Sequence, residues 1–292
     1  MKITSGYTTK NSRFENLFAK KILKGDARMA KFFWDYRGTG KPPKHLVSLE
    51  DMLGWQDDYL DRKVRGDKYN FILVAEHEPL YCCPEDKVQT LAQKNRLFRI
   101  SPENLPAPFF SIPEKHGGSI TYHGPGQLTC YFILCLEDLG IGGPKQIGAI
   151  FDEILKDAIS QFGINGFTAD ELRQSANPQI HEDLSSMSAQ GIWVRAETNQ
   201  LRKIASRALR IVRYVLTYQN GRTETKHFTK FGFALNISTD LDYFSYIYPC
   251  GLDIQMTSIK QITGKEPLLT DVAKVLSKIA IQKLDRIENT AK

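Results

Sequence analysis

The chain has 292 residues, of which 41% are hydrophobic and 25% charged, a composition typical of a globular protein. Its 39 Lys and Arg residues against 33 Asp and Glu residues give a net charge of +6. This mild excess does not indicate a nucleic-acid partner, but it suits docking to an acidic protein. No apolar run approaches the length that spans a bilayer, so no membrane association is predicted.

The cysteines do not form a disulfide pattern. Cys82 and Cys83 are adjacent, and Cys130, Cys135 and Cys250 make the count odd. Such a set predicts free thiols in a reducing compartment. No Cys-x-x-Cys and no tight cluster of Cys and His occurs, so no metal site is predicted.

The N-terminal residues differ from the rest in composition. Residues 1–31 form a polar lead-in, and we expect residues 32–292 to form one domain. The first thirteen residues contain basic, Ser and Thr residues and no acid. This pattern is weakly similar to a transit peptide, and a disordered tail explains it equally well.

The predicted elements of the first half alternate between helix and strand. Apolar residues at helical spacing predict an amphipathic helix over residues 49–64. Phe71–Ala75 and Phe109–Ile112 are short apolar runs typical of strands, and Leu128–Leu136 is a longer one. A second helix is predicted from Lys145 to the stop at Gly163.

The second half begins with a polar stretch, 169–190, which we expect to be a surface loop. Strands are predicted at Ile192–Val194, Leu209–Tyr218 and Phe231–Ile237, and Asn220-Gly221 between the last two indicates a hairpin turn. Thr270 is expected to cap a final helix. Hairpins with scattered helices favour an α+β fold over a doubly wound sheet.

A glycine-rich run, residues 116–131 (HGGSITYHGPGQLTCY), is the most informative segment. Glycines at this density let the main chain approach a ligand closely, and a turn between two strands explains them equally well. The two histidines in the run, His116 and His123, are candidate bases, although hydrogen bonding within the fold is the commoner role. The run contains no phosphate-binding loop, which removes the simplest argument for ATP.

Two residues far from this run are candidates for covalent chemistry. Cys250 lies between Pro249 and Gly251, which indicates a loop rather than a packed strand. Lys203 would by itself be interpreted as a solvated charge. It belongs to a basic string that is either an ordinary charged face or a surface for an acidic carrier protein; its members are Arg202, Lys203, Arg207, Arg210 and Arg213.

Six motifs in fixed order carry a family resemblance. Residues 116–127 are similar to R-G-G-x-x-T-x-H-x-P-G-Q. The other five matches are Glu76–Tyr81 to E-H-x-P-x-Y, Gly191–Val194 to G-V-W-V, Lys203–Ala205 to K-I-A, Gly232–Asn236 to G-x-A-L-N, and Pro249–Gly251 to P-C-G. Together they resemble the lipoyl(octanoyl) transferases, above all their fungal mitochondrial members.

The resemblance implies a mixed sheet with flanking helices, like that of biotin and lipoate protein ligases. It implies transfer of octanoyl from acyl carrier protein to a lysine of a lipoyl domain, either in the E2 subunit of a 2-oxoacid dehydrogenase or in the glycine cleavage H protein. Cys250 would carry the acyl group and Lys203 would activate it. No cofactor is implied, and the location would be mitochondrial.

The resemblance also implies an acyl pocket. Its residues would be His116, Gly117, Gly118, Ser119, Ile120, Thr121, Tyr122, His123, Ser206, Arg207, Ala208, Gly232, Phe233 and Ala234. The chain departs from the family pattern in this pocket and next to it: His116 replaces an arginine, Ser206-Arg207-Ala208 replaces A-L-G, and Phe231, before Gly232, replaces a histidine. An insertion also lies between Arg213 and His227.

The chemistry is self-consistent without a nucleotide. Exchange between thioesters is nearly balanced, and transfer from a thioester to an amine runs downhill. A more stable thiolate is a weaker nucleophile, so the charge of Lys203 alone gives little, and proton transfer is its more economical role. Main-chain N–H groups near Cys250 or in the glycine run are expected to stabilise the tetrahedral oxyanion.

Two other functions remain open at the level of sequence. One is an ATP-dependent lipoate ligase of the same fold, which would need no cysteine. The other is a non-catalytic protein that binds a carrier or a lipoyl domain, a hypothesis that the departures in the pocket motivate.

Overall fold

The computed structural model describes residues 32–37, 46–174, 190–195, 200–218 and 220–290. Six helices are described: α1 Leu49–Val64, α2 Leu91–Asn95, α3 Pro144–Ser160, α4 Ala169–Arg173, α5 Ile259–Thr263 and α6 Leu269–Thr290. The strands are β1 Phe32–Arg37, β2 Asn70–Ala75, β3 Leu80–Pro84, β4 Phe109–Ile112, β5 Thr121–His123, β6 Gln127–Ile133, β7 Phe167–Thr168, β8 Gly191–Arg195, β9 Leu201–Thr217, β10 Thr223–Asn236 and β11 Gln255–Met256.

The strands form a large and a small sheet. The large sheet has the order β1-β2-β6-β10-β9-β8-β7, with β11 beside β9, and the small sheet has the order β4-β3-β5. Most pairs are antiparallel, whereas β1–β2, β9–β11 and β3–β4 are parallel. The predicted α+β fold with a mixed sheet and flanking helices is confirmed.

Each face of the large sheet has its own apolar core. On one face, α3 and α6 pack through residues such as Phe151, Ile154 and Leu276. On the other face, α1 and part of the small sheet pack through Met52, Leu60 and other residues. The candidate site lies on this second face, between the two sheets.

The two long predicted helices are confirmed. At the start of α1, Ser48 accepts a hydrogen bond from the Asp51 N–H, and basic residues occupy its last turn, where they interact favourably with the helix dipole. In α3, Pro144 occupies the first turn and Gly163 follows the end with a φ of 76°. No helix among the described residues has the length and apolar character needed to cross a membrane.

The strands of the hairpin begin earlier than the sequence predicted. β9 begins at Leu201 and β10 at Thr223, so the outer half of this hairpin contains the insertion between Arg213 and His227. The reason is that charged side chains occupy buried positions in both strands: Lys203 is 0% exposed and Lys230 is 2% exposed. Because lysines occupy these buried positions, the sequence does not show the alternation of apolar and polar residues on which a strand prediction depends.

Four other predictions need correction or lie outside the described residues. The strand predicted to reach Leu136 ends at Ile133, because the Leu134 N–H donates to the Thr229 side chain instead. The loop predicted over 169–190 begins with helix α4, capped by Thr168, and its residues 175–189 lie outside the described part. Thr270 lies inside the first turn of α6, so it is not the cap. The lead-in 1–31 also lies outside, so the transit-peptide interpretation stays a prediction.

A tight crossing at Gly126 holds the turn between β5 and β6. Its φ is 82°, and its N–H donates to Glu76 Oε1 at 2.7 Å. A Cβ at this position would lie 2.6 Å from the main-chain carbon of Ser238. Gly221 at the hairpin tip has a similar φ of 78°, but a Cβ there would meet nothing within 4 Å.

This contrast predicts different costs for the same substitution. Gly221→Ala introduces only the left-handed backbone penalty, about 1–2 kcal/mol. Gly126→Ala adds steric overlap with main chain, for a total of about 2–5 kcal/mol in the free energy of unfolding. Chemical denaturation of both variants measures the difference. Equal losses would show that the approach of Ser238 to Gly126 is not a constraint.

Candidate active site

Cys250 lies in a short turn, Pro249–Gly251, in a strained conformation. Its φ is 59°, and among the described residues Phe231, with a φ of 64°, is the other non-glycine residue with a positive value. Such a conformation costs about 1–3 kcal/mol and persists where the surroundings enforce it, commonly at functional sites. Here the Cys250 N–H donates to Ile120 O at 2.9 Å, and the Gly251 N–H donates to Tyr248 O at 2.7 Å.

Lys203 contacts Cys250 directly. Its Nζ donates to Cys250 Sγ at 3.2 Å, and both side chains are buried. The Nζ atom also lies 5.5 Å from the ring centre of Trp193. The fold therefore brings together two residues that are 47 positions apart in the chain.

The absence of a side chain on glycine at position 191 leaves space for Lys203. A Cβ on Gly191 would lie 3.1 Å from Lys203 Cε and 2.2 Å from Ala205 O. The glycine of the G-x-W-V match therefore lets β8 approach β9 where the lysine is buried.

A chain of hydrogen bonds links the glycine run to the main chain of Lys203. His123 Nδ1 donates to Gln127 Oε1 at 2.5 Å, and Gln127 Nε2 donates to Asn236 Oδ1 at 2.8 Å. Asn236 Nδ2 then donates to Thr257 O at 3.0 Å, and the Thr257 N–H donates to Lys203 O at 2.9 Å. Three of the six sequence motifs are thus connected, and the connection fixes the strand that carries the lysine.

The upstream match, Glu76–Tyr81, has a supporting role. His77 is 0% exposed, donates from Nδ1 to Val47 O at 2.8 Å and accepts from the Tyr131 hydroxyl at 2.7 Å. Burial lowers the pKa of His77 to about 3, so the ring is neutral near pH 7. Glu76 accepts the hydrogen bond from Gly126 described above.

A pocket of about 650 Å³, including its open mouth, extends from Cys250 between the two sheets. Most of the predicted pocket residues line it: His116, Gly117, Gly118, Ser119, Thr121, His123, Ser206, Arg207, Ala208, Gly232, Phe233 and Ala234. Lys203 is held behind Cys250, to which it is hydrogen bonded.

Ile120 and Tyr122 do not line this pocket, which corrects the prediction. Side chains alternate between the two faces of a strand, so Thr121 and His123 face the pocket while their neighbours face away. Ile120 and Tyr122 are almost fully buried in a separate apolar cluster with Phe244 and Ile247. The main-chain carbonyl of Ile120 still contributes by accepting the Cys250 N–H.

Sequence reasoning missed several pocket residues. These are Leu49, Cys82, Ile112, Thr129, Cys130 and Tyr131. They come from four different elements, and each fits an ordinary core position. Burial raises the pKa of Cys82 to about 12 and also raises that of Cys130, so both remain thiols. No pattern in a single sequence distinguishes such residues from core.

The basic string is not a uniform charged face. Arg207 forms two hydrogen bonds to Asp152, at 2.9 and 3.1 Å, and lies across Gly148 of α3. Arg210 bonds to Glu114 at 2.7 Å, and Lys203 bonds to Cys250. With three of its five members engaged inside the fold, the string gives little support to a basic surface for an acidic carrier.

The fold and the buried pair of Cys250 and Lys203 indicate an enzyme that transfers acyl groups. The model of the lipoyl protein ligase A/B catalytic domain matches residues 51–280, and the chain belongs to this family. The predicted family is confirmed by this match and by the relatives described next, whereas the closeness to fungal mitochondrial members stays a prediction.

Similar proteins agree with this assignment. An octanoyltransferase of Bacteroides fragilis is 31% identical over 228 residues, covering 77% of this chain and 86% of that protein. One of Bacteroides thetaiotaomicron is 32% identical over 75% of this chain and 81% of that protein. A lipoate protein ligase of Thermoplasma acidophilum with bound lipoic acid has a TM-score of 0.53 at 12% identity, over 87% and 85% of the two chains, which shows a shared fold.

The buried histidine generates a pH prediction. Because the pKa of His77 is lowered from 6.5 to about 3 in the folded protein, its stabilising contribution is complete above pH 6.5 and is lost as the pH falls toward 3. The stability difference between wild type and His77→Gln should therefore shrink by about 2–3 kcal/mol from pH 6.5 to 4.5.

Denaturant unfolding at several pH values measures this difference, in which titrating carboxylates common to both proteins cancel. Between pH 7 and 8 the difference should be constant. A difference that is also constant down to pH 4.5 would show that His77 accepts a proton without cost.

Proposed function

We propose that this chain is an octanoyltransferase that moves an octanoyl group from acyl carrier protein to a lysine of a lipoyl domain, with a thioester on Cys250 as intermediate. The family, and relatives that are named octanoyltransferases, support the enzyme class predicted from the sequence. The observation that carries the proposal is the contact of 3.2 Å between Lys203 Nζ and Cys250 Sγ at one end of the pocket.

This contact suits a nucleophile with its own proton carrier. A cysteine becomes reactive when a nearby group removes its proton or stabilises its thiolate. Because a more stable thiolate is also a weaker nucleophile, the larger benefit comes from proton transfer. Lys203 is placed for both roles, since it reaches Sγ directly from a buried position.

The first half-reaction loads the enzyme. Cys250 Sγ attacks the carbonyl carbon of the carrier thioester, so that a new C–S bond forms and the C–S bond to the carrier breaks. Lys203 accepts the thiol proton and returns it to the departing carrier thiolate. The acyl group is then held in the pocket as a thioester.

The second half-reaction transfers the acyl group to nitrogen. The neutral amine of the acceptor lysine attacks the thioester carbon, a C–N bond forms and the bond to Cys250 breaks. The proton lost from that nitrogen passes through Lys203 to Cys250, which becomes a thiol again. No nucleotide enters either step.

Three of the main-chain N–H groups near Cys250 and in the glycine run already have acceptors. The Cys250 and Gly251 N–H groups donate to Ile120 O and Tyr248 O, and the Gly117 N–H donates to Leu209 O. Ser206 Oγ lies 3.9 Å from Cys250 Sγ. We therefore add the Ser206 hydroxyl to the remaining N–H groups of the glycine run as a donor to the tetrahedral oxyanion.

The first test concerns the intermediate. Cys250→Ala keeps the Cβ and should fold, but should form no covalent adduct with octanoyl carrier protein. Intact-mass spectrometry detects the adduct, and Cys135→Ala, a buried cysteine outside the pocket, should acylate like wild type. An octanoyl adduct on Cys250→Ala would refute the thioester, and ATP-dependent modification of the acceptor by that variant would favour a lipoate ligase.

The second test separates charge from proton transfer at position 203. Lys203→Met should slow adduct formation by about 10²–10⁴-fold, the range expected for a lost acid–base group. Lys203→Arg keeps the charge but cannot release a proton, so it should not restore the rate. Intact-mass spectrometry of samples quenched at several times measures the rate of adduct formation in both variants. Thermal unfolding confirms that they fold. Full activity in the arginine variant would assign the lysine a purely electrostatic role.

A further inference from the structure

We propose that the contacting rings of His116 and Phe231 close the far end of the pocket and set the longest acyl chain that Cys250 can carry. This inference rests on the proposed function, because it names a specificity determinant of the same reaction.

Strand register places the two rings opposite the nucleophile. Cys250 lies beside Ser206, which pairs with Ala234 across β9 and β10. Phe231 pairs with Leu209, three positions further along both strands, which corresponds to about 10 Å. An acyl chain that starts on Cys250 and follows this line passes Ala208 and Gly232, both of which line the pocket, and then meets Phe231.

The wall consists of two rings that are each held by the main chain. Their centroids are 4.4 Å apart, with 42° between the ring planes. His116 Nδ1 donates to Gly117 O at 2.7 Å, and the Gly117 N–H donates to Leu209 O at 2.9 Å. The Phe231 N–H donates to Oε1 of the fully buried Gln56 at 2.9 Å. A hydrogen bond thus holds the His116 ring, and another holds the main chain that carries the Phe231 ring.

Charged groups lie immediately beyond the wall. The neighbour of Phe231, Lys230, is 2% exposed and bonds to Asp57 at 2.6 Å and to Glu114 at 2.5 Å. Arg210 bonds to the same Glu114 at 2.7 Å. The wall therefore lies between the pocket and this charged cluster.

An open groove begins on the outer side of His116. It is lined by Pro113, Glu114, Lys115, Leu209, Arg210 and Ile211, and it shares His116 and Gly117 with the pocket. Removing either ring should join the pocket to this groove. A longer chain could then extend outward instead of being stopped.

The backbone at Phe231 supplies a convenient variant. Its φ of 64° is unfavourable for phenylalanine and natural for glycine. Phe231→Gly therefore removes the ring while relieving backbone strain, which keeps the loss of stability small enough to test function. His116→Ala removes the other ring independently.

The experiment compares acyl transfer to Cys250 from carrier thioesters of six, eight, ten, twelve and fourteen carbons, followed by intact mass. Wild type should prefer eight carbons. The ratio of the dodecanoyl rate to the octanoyl rate should rise at least tenfold in Phe231→Gly and in His116→Ala, because a pocket discriminates by at least about tenfold per methylene. Val215→Gly, at an exposed position of the same hairpin, should keep the wild-type ratio.

Three results would overturn the inference. Wild type could accept dodecanoyl as well as octanoyl; the ratio could stay unchanged in both ring variants although adducts form; or all chain lengths could accelerate in parallel, which would make the rings a gate at the entrance. The absence of any wild-type adduct with any chain length is a different failure, because it refutes the proposed function itself.

Discussion

The contact between Lys203 and Cys250 is the interaction on which the rest of the site depends. A buried amino group is costly unless its partners replace water. Here a sulfur atom at 3.2 Å and the face of Trp193 are such partners, and the missing side chain of Gly191 leaves the necessary space. The motifs around Cys250 and Lys203 hold this pair in position.

One segment, residues 116–120, connects the two ends of the pocket. At its end the Ile120 carbonyl holds the strained turn of Cys250, and at its beginning the His116 ring packs on the equally strained Phe231. This segment therefore contributes contacts to both ends of the pocket. The segment leads into β5 of the small sheet, and the pocket lies between this sheet and the large one.

Local sequence patterns alone predicted much of the fold but little of the pocket. Helices α1 and α3 followed from apolar spacing and capping residues, because those forces act within a few residues. The beginning of strand β9 was missed because Lys203 is buried there against Cys250, a contact that spacing cannot reveal. Tyr122 was assigned to the pocket by its motif, whereas strand alternation turns it away. The family resemblance supplied the pair of Cys250 and Lys203, and the structure was needed to show that Phe231 contacts His116 in the pocket and that Gln127 hydrogen bonds to Asn236.

The five free thiols of this chain have an experimental consequence. Burial raises the pKa of Cys82, Cys83 and Cys135 to about 12 and raises that of Cys130 as well, so these four sulfurs stay protonated in neutral solution. Cys250 differs from them in having an amine at its sulfur. A soft electrophile with a short alkyl tail is thus suited to stoichiometric labelling of this one position, which offers a route to trap or image the protein without altering its sequence.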